Sequence, residues 1–231
     1  MSINQFCSPD TFRLGQPHQA APVVWFVSHC HDYNGRMKFV KLLQRHIGVD
    51  IYGECGHLKC GHTRNMEREY SVDRDPCFDL VNRRYKFYLS FENALCKDYI
   101  TEKAFNALKL NTIPVVFGGA DYADIFPPQS YIDALQFEDP ASLARHLYSL
   151  LQSPSQFSSY FLWRPHYEVV SHSSVPDNCQ LCERLAAGEL AEQQVYPDMW
   201  DWLIRRSGCV FTNRKWSTER FLKIWKSQRE K

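Results

Sequence analysis

The chain has 231 residues, of which 44% are hydrophobic and 14% aromatic, and its formal net charge is +1. That is enough apolar material for one full domain and an appendage. The near-neutral balance excludes the electrostatic footprint of a nucleic-acid or acidic-membrane binder. No apolar run approaches the length of a membrane span. The opening residues MSINQFCSPD are neither basic nor followed by an apolar core, so no signal peptide is expected.

Residues 1–20 contain Pro9, Gly15 and Pro17 without periodicity and read as irregular. Val23 to Val27 starts a sheet. Arg36 to His46 then places Met37, Phe39, Val40, Leu42 and Leu43 beside cationic positions, the pattern of an amphipathic helix. Arg36 stands at its start, where a cation opposes the helix dipole unless an anion binds nearby or the side chain is solvated. Glu54 to Arg84 is polar and cysteine-bearing and reads as an excursion from the sheet. Asp73-Arg74-Asp75 within it matches a DxD pattern, which is common by chance.

The most informative stretch is Tyr85 to Gly119. Tyr85 to Phe91 is a buried strand, Ile113 to Phe117 is a second one closed by Gly118 and Gly119, and a helix lies between them. Asp98 or Thr101 can cap that helix, Ala104, Phe105 and Leu108 share a face, and Asn111 suits a left-handed stop. The result is a βαβ unit with parallel strands, and ligands of such sheets sit beyond the carboxyl ends of the strands. There the chain places Glu92, Asn93, Lys97, Asp98, Tyr99, Glu102 and Lys103. The helix N-terminus and Lys103 suit a phosphate, and Glu102 can accept hydrogen bonds from sugar hydroxyls.

Pro127-Pro128 and a weak strand follow. Asp139 to Gln152 is a helix capped by Asp139, with Pro140 at its first position and Leu143, Leu147, Leu150 and Leu151 as its inner stripe. Ser153 to Trp163 extends this with a further helix. The main domain is expected to span 21–170, and residues 171–231 form an extension with Trp200, Trp202, Trp216 and Trp225 among basic residues.

Nine cysteines suggest an oxidising compartment, and the odd number leaves at least one without an intrachain bridge. They cluster as Cys55 with Cys60 and Cys179 with Cys182, beside singles at 7, 30, 77, 96 and 209. CGHLKCGH also holds Cys55, His57, Cys60 and His62 at crowded zinc-like spacing. The Cys179/Cys182 pair lacks thioredoxin or zinc-ribbon context and reads as a structural disulfide.

FENALCKDYITEK followed by PVVFGG resembles the signature of the α1,3-fucosyltransferases, glycosyltransferase family 10. WFVSH at 25–29, Arg36, VDIYG at 49–53, and Tyr131-Ile132 after Pro127-Pro128 extend the resemblance over roughly residues 21 to 170. The CxxC after this region is similar to the invertebrate and plant enzymes that fucosylate the innermost N-acetylglucosamine of N-glycans. The resemblance implies an α/β fold, a Rossmann-like parallel sheet forming the C-terminal half of a GT-B glycosyltransferase. It also implies binding of GDP-fucose and inverting α1,3 transfer to glycoprotein N-glycans. Carried over, Arg36 and Lys103 contact the phosphates, and Asn93, Tyr99 and Glu102 match donor-site positions, with Ser28 and Glu92 as further candidates. Glu102 would orient fucose or balance charge on its ring. No cofactor or divalent metal is required by this reading, because cations already neutralise the diphosphate. The cysteine segment at 55–60 becomes a disulfide-bearing loop. The family also implies a Golgi enzyme held by an N-terminal anchor.

Two departures matter. The family's anchor, stem and acceptor domain precede the first strand of the donor half, and its general base lies there, so no base is named in this sequence and His29 and His31 are not candidates. His29 itself stands where the family usually has asparagine. The chain is therefore expected to be either the donor half of a fucosyltransferase or a non-catalytic GDP-sugar-binding module. A dinucleotide-binding domain is disfavoured because no G-x-G-x-x-G follows a strand.

Overall fold

In the computed structural model the described residues are 21–31, 34–60, 75–170, 177–188 and 195–210. The apolar runs of the sequence become a parallel sheet: β1 (Val23–Phe26), β2 (Val49–Tyr52), β3 (Phe87–Phe91), β4 (Ile113–Phe117) and β5 (Ile132–Asp133), in the order β2-β1-β3-β4-β5. Helices α1 (Arg36–Leu43), α2 (Pro76–Arg84), α3 (Glu102–Lys109), α4 (Tyr122–Ile125), α5 (Pro140–Gln152) and α6 (Pro154–Ser159) connect or cover the strands. A strand order of 2-1-3-4-5 places the topological switch between β1 and β3.

Strand alternation divides the core. Trp25, Phe87, Leu89, Phe91, Val115 and Phe117 face a layer containing Phe39, Leu43, Leu143 and Leu147 of α1 and α5. Val24, Tyr88 and Val116 face the opposite side, where α2 and α3 contribute Val81, Ala104, Ala107 and Leu108. On that side the buried Tyr85 hydroxyl donates to Asp50 Oδ2 at 2.7 Å and pairs with Tyr52 at 3.0 Å. Burial, with these hydrogen bonds, holds its phenol above the usual tyrosine range.

Helix boundaries follow local chemistry with some differences from expectation. Asp139 caps α5 through a reciprocal box with Ser142, and Pro140 occupies the first turn. Helix α1 is entered through Gly35 at φ 79, a left-handed conformation that glycine adopts without strain. It ends at Leu43, three residues before the expected His46. The expected Ser153–Trp163 helix stops at Ser159, and turns carry the chain on to the buried Trp163.

In α3 the expected details are corrected. Thr101 is the N-cap residue but makes no side-chain cap bond, because its hydroxyl is used elsewhere, and Asp98 instead forms a turn at φ 61. Asn111 does not form the left-handed stop: the helix ends at an extended Leu110, and Asn111 N donates to Asn82 Oδ1 at 2.7 Å. Phe105 is 37% exposed and stands edge-on to Phe126, while Ala107 takes the inward position.

The cysteines pair across the chain. Cys30 bonds Cys55, Cys60 bonds Cys77, and Cys96 bonds Cys209. Cys55 and Cys60 are thus consumed by separate bridges, which removes both as thiolate ligands for zinc; His62 lies outside the described residues. The expected Cys179–Cys182 disulfide is not formed. Both thiols are free and exposed on α7 (Asp177–Ala186), where a bridge would close only a short ring whose backbone the helix already fixes. Residues 1–20, Asp73, Arg74, Trp216 and Trp225 lie outside the described residues. Asp75, the last member of the DxD pattern, caps α2 by accepting from Cys77 N at 2.8 Å. Among the described residues no helix is long and apolar enough to cross a membrane.

Candidate functional site

The carboxyl ends of β1 and β3 lie side by side at the switch point, and the loops leaving them carry most of the expected site residues. Arg36 joins these two loops. Its NH1 donates to Phe91 O at 2.9 Å, and its NH2 donates to His29 O at 3.1 Å and Asn93 Oδ1 at 2.8 Å. The guanidinium lies 5.7 Å from the Trp25 ring centroid, and the residue is only 2% exposed. Asn34 reinforces the junction, donating from Nδ2 to Glu92 O at 2.7 Å and accepting from Arg36 N at 3.2 Å. In this conformation the guanidinium is turned inward onto these partners at the ends of β1 and β3.

A second cluster shapes the entrance to α3. Glu92 is fully buried, and its Oε1 accepts from Thr101 N at 2.8 Å. The Thr101 hydroxyl lies 2.7 Å from Glu92 Oε2 and accepts from Lys103 Nζ at 2.9 Å. Lys103 Nζ lies 3.6 Å from Glu92 Oε2 and 3.2 Å from Glu102 Oε1. With no exposed surface, Glu92 fixes the α3 terminus and the ammonium from within the fold.

In front of this cluster the Glu102 side chain is 68% exposed, Lys103 is partly exposed and Tyr99 is half-buried. Ser28 is exposed at the end of β1, and Asn93 presents its amide beside Arg36. The structure thus gathers Arg36 and Asn93 into one knot, Glu92, Glu102 and Lys103 into another, and leaves Ser28 and Tyr99 on the two loops. Asn34, and the bonds of Thr101 to Glu92, were not foreseen. Each is a short polar side chain within two residues of a foreseen one, which was the signal available.

The turn after β4 closes the floor. A Cβ at Gly119 would collide with the Cys96 backbone, so glycine is required there by close approach, and one at Gly118 would displace the Tyr122 hydroxyl. Beyond Cys96 the loop is fastened to the distal segment, with Lys97 N donating to Ser207 O at 2.7 Å and Val210 N to Leu95 O at 2.8 Å.

Such a doubly wound parallel sheet, with cationic and hydrogen-bonding groups at its switch point, is of the ligand-binding α/β class in which the strand ends form the site. The chain belongs to glycosyltransferase family 10, the fucosyltransferases, whose C-terminal region matches residues 16–202. It is 43% identical over 180 residues to alpha-(1,3)-fucosyltransferase C of Drosophila melanogaster, covering 77% of this chain and 39% of that protein. It is 39% identical over 198 residues to glycoprotein 3-alpha-L-fucosyltransferase A of the same organism, covering 84% of this chain and 37% of that protein. The chain therefore spans about two fifths of the length of these relatives. A crystal structure of an alpha1,3-fucosyltransferase with GDP-fucose shares the fold at a TM-score of 0.54 and 20% identity, over 80% of this chain and 51% of that one.

Proposed function

We propose that this chain supplies the GDP-fucose-binding half of an inverting α1,3-fucosyltransferase acting on N-acetylglucosamine of glycoprotein N-glycans. The observation that carries this reading is the ammonium of Lys103, held by Thr101 and Glu102 at the N-terminus of α3, directly beyond the carboxyl end of β3. A diphosphate placed there meets the ammonium and the first N–H groups of α3 together. The names of the two Drosophila relatives support fucose as the transferred sugar, and the name of the second supports a glycoprotein as acceptor.

In this reading Lys103 and the α3 terminus stabilise the leaving GDP, and no divalent metal is needed. Glu102, exposed beside Lys103, faces the sugar and balances charge on the ring as the glycosidic bond breaks. Asn93 and Tyr99 hold the donor from the β3 loop, and Ser28 from the β1 loop. Arg36 sets the spacing of those loops and reaches the phosphate end through Asn93. Attack by an acceptor hydroxyl from the opposite face requires a carboxylate base, which the acceptor half of a two-domain GT-B enzyme supplies. The complete enzyme is a Golgi protein anchored in the membrane.

Calorimetric titration with GDP, GDP-fucose and GDP-mannose, with and without EDTA, tests the reading alongside a transfer assay on an N-glycan. Preferred binding of GDP-fucose that survives EDTA is the expected result. Failure of a folded chain to bind any of the three nucleotides would remove it. Binding of GDP-fucose without transfer means that the donor half folds on its own and that the base lies in the acceptor half.

A further inference from the structure

The segment 195–210 forms a second concave site outside the donor cluster. A cleft of about 360 Å3 is lined by Tyr196, Trp202, Asp198, Asp201, Arg205 and Arg206. Its helical part, Asp201–Arg206, is a π-helix, a rare backbone form that concentrates at functional positions. The volume lies within the range of small-ligand sites, which begins at about 300 Å3.

The lining combines two kinds of surface. The rings of Tyr196 and Trp202 lie with centroids 4.6 Å apart and planes at 44°, and Trp202 remains 38% exposed. Beside them, Asp201 Oδ2 accepts from Arg206 Nε at 3.0 Å, Oδ1 lies 3.7 Å from Arg205 NH1, and Asp201 N donates to Asp198 Oδ1 at 3.0 Å. Among the described lining residues, carboxylates and guanidiniums are present in equal number, so their charges balance. Planar donors and acceptors next to two partly exposed rings match a ligand that is neutral, rich in hydroxyls and apolar on one face. A pyranose has that chemistry: its C–H face stacks on an indole or phenol, and its vicinal hydroxyls pair with carboxylate and guanidinium edges. An apolar protein surface laid over the cleft would instead strip water from four charged groups without replacing their hydrogen bonds.

Position gives the site its relation to the donor cluster. The Cys96–Cys209 bridge and the Lys97–Ser207 and Leu95–Val210 backbone bonds fasten this segment to the loop that runs on to Tyr99, Glu102 and Lys103. We propose that the cleft binds a neutral oligosaccharide through Tyr196, Trp202 and Asp201 and holds it beside the donor site as part of the acceptor. Its role as an acceptor subsite rests on the function proposed above; the binding itself does not.

The test is titration of the full chain with N,N′-diacetylchitobiose and a neutral N-glycan by saturation-transfer NMR, run in parallel with GDP by calorimetry. We expect glycan binding that weakens about tenfold in Trp202→Ala and in Asp201→Asn, a loss of one stacking or charge-assisted contact, with GDP affinity unchanged. Trp202→Phe, which keeps a ring, should retain most of the binding and guards against a local folding defect. A chain that binds GDP but neither glycan overturns the proposal, as does undiminished glycan binding in both variants or a preference for a sulfated glycan over the neutral one. A concentration-dependent dimer that Trp202→Ala dissociates, without glycan binding, would assign the surface to a second copy and overturn it too. Glycan binding with no nucleotide binding would uphold the cleft and remove the donor reading.

Discussion

Arg36 and Lys103 are both cations at helix starts, yet the structure uses them differently. Arg36 spends its guanidinium on the carbonyls of Phe91 and His29 and on Asn93, all at the ends of β1 and β3. Truncating it leaves buried acceptors unpaired, so Arg36→Ala should lower stability by about 3 kcal/mol in urea unfolding. Arg36→Lys should recover little, because an ammonium cannot span the same acceptors. An unchanged urea midpoint in Arg36→Ala would show that the knot is dispensable. Lys103→Ala is expected to weaken GDP binding about tenfold by calorimetry, the loss of one phosphate ion pair, while costing only about 1 kcal/mol of stability. Glu92 keeps its bonds to Thr101 in that variant, which limits the cost of leaving a buried carboxylate without its cation. The reverse pattern, stability lost and GDP affinity kept, would make Lys103 a structural partner of Glu92 alone.

Among the elements, α5 shows which signals are local. Its cap, proline and leucine stripe all sit within the helix, and the structure repeats them from Asp139 to Leu150. The strands 87–91 and 113–117 were equally legible, because a buried parallel strand is a short apolar run between breakers. The ends of α3 were not, since Thr101 and Asn111 are claimed by Glu92 and Asn82, partners from other segments that no window of the sequence displays. The same reason hid the inward turn of Arg36, whose acceptors are two main-chain oxygens and the Asn93 amide oxygen, up to 57 residues away. Two consequences for α5 can be measured. Asp139→Ala removes the cap and should cost about 1 kcal/mol. His146 is half-buried on the same helix, and burial lowers its pKa from the ordinary 6.5. The unfolded chain therefore takes up the proton first as pH falls, so the stability His146 contributes is full above about 6.5 and is lost progressively below it. The Asp139 carboxyl is lowered too, chiefly by the Ser142 N–H, but its contribution disappears only in acid, below the ordinary 3.8. Between pH 7 and 5 a decline in melting temperature should consequently flatten in His146→Gln and persist in Asp139→Ala. An identical slope in His146→Gln would assign the decline to other groups.

At the scale of the whole molecule, the bridges carry information that cysteine spacing does not. Neighbours in sequence are not bridged to one another, neither Cys55 to Cys60 nor Cys179 to Cys182, while Cys96 bonds Cys209 at a separation of 113 residues. Loop length argues that this last bridge matters most for the coupling of segments, because cross-linking a long span removes the most entropy from the unfolded chain. It also spans the joint between the donor loop and the aromatic segment 195–210, whose only buried apolar residue among those described is Val210. A segment with so little apolar contact depends on its covalent tie and a few backbone bonds. Native alkylation should accordingly label Cys179 and Cys182 and spare the six bridged positions. Cys209→Ser should cost about 2–4 kcal/mol and expose the bonds after Arg205 and Arg206 to trypsin, read by mass spectrometry under native conditions. The cleavage should be faster than in the unsubstituted chain, while the sheet, whose core does not include that segment apart from Val210, keeps its circular dichroism. If Cys209→Ser is cut no faster, then the Leu95–Val210 and Lys97–Ser207 bonds hold the segment by themselves. The bridge would in that case be a consequence of the docking rather than its cause.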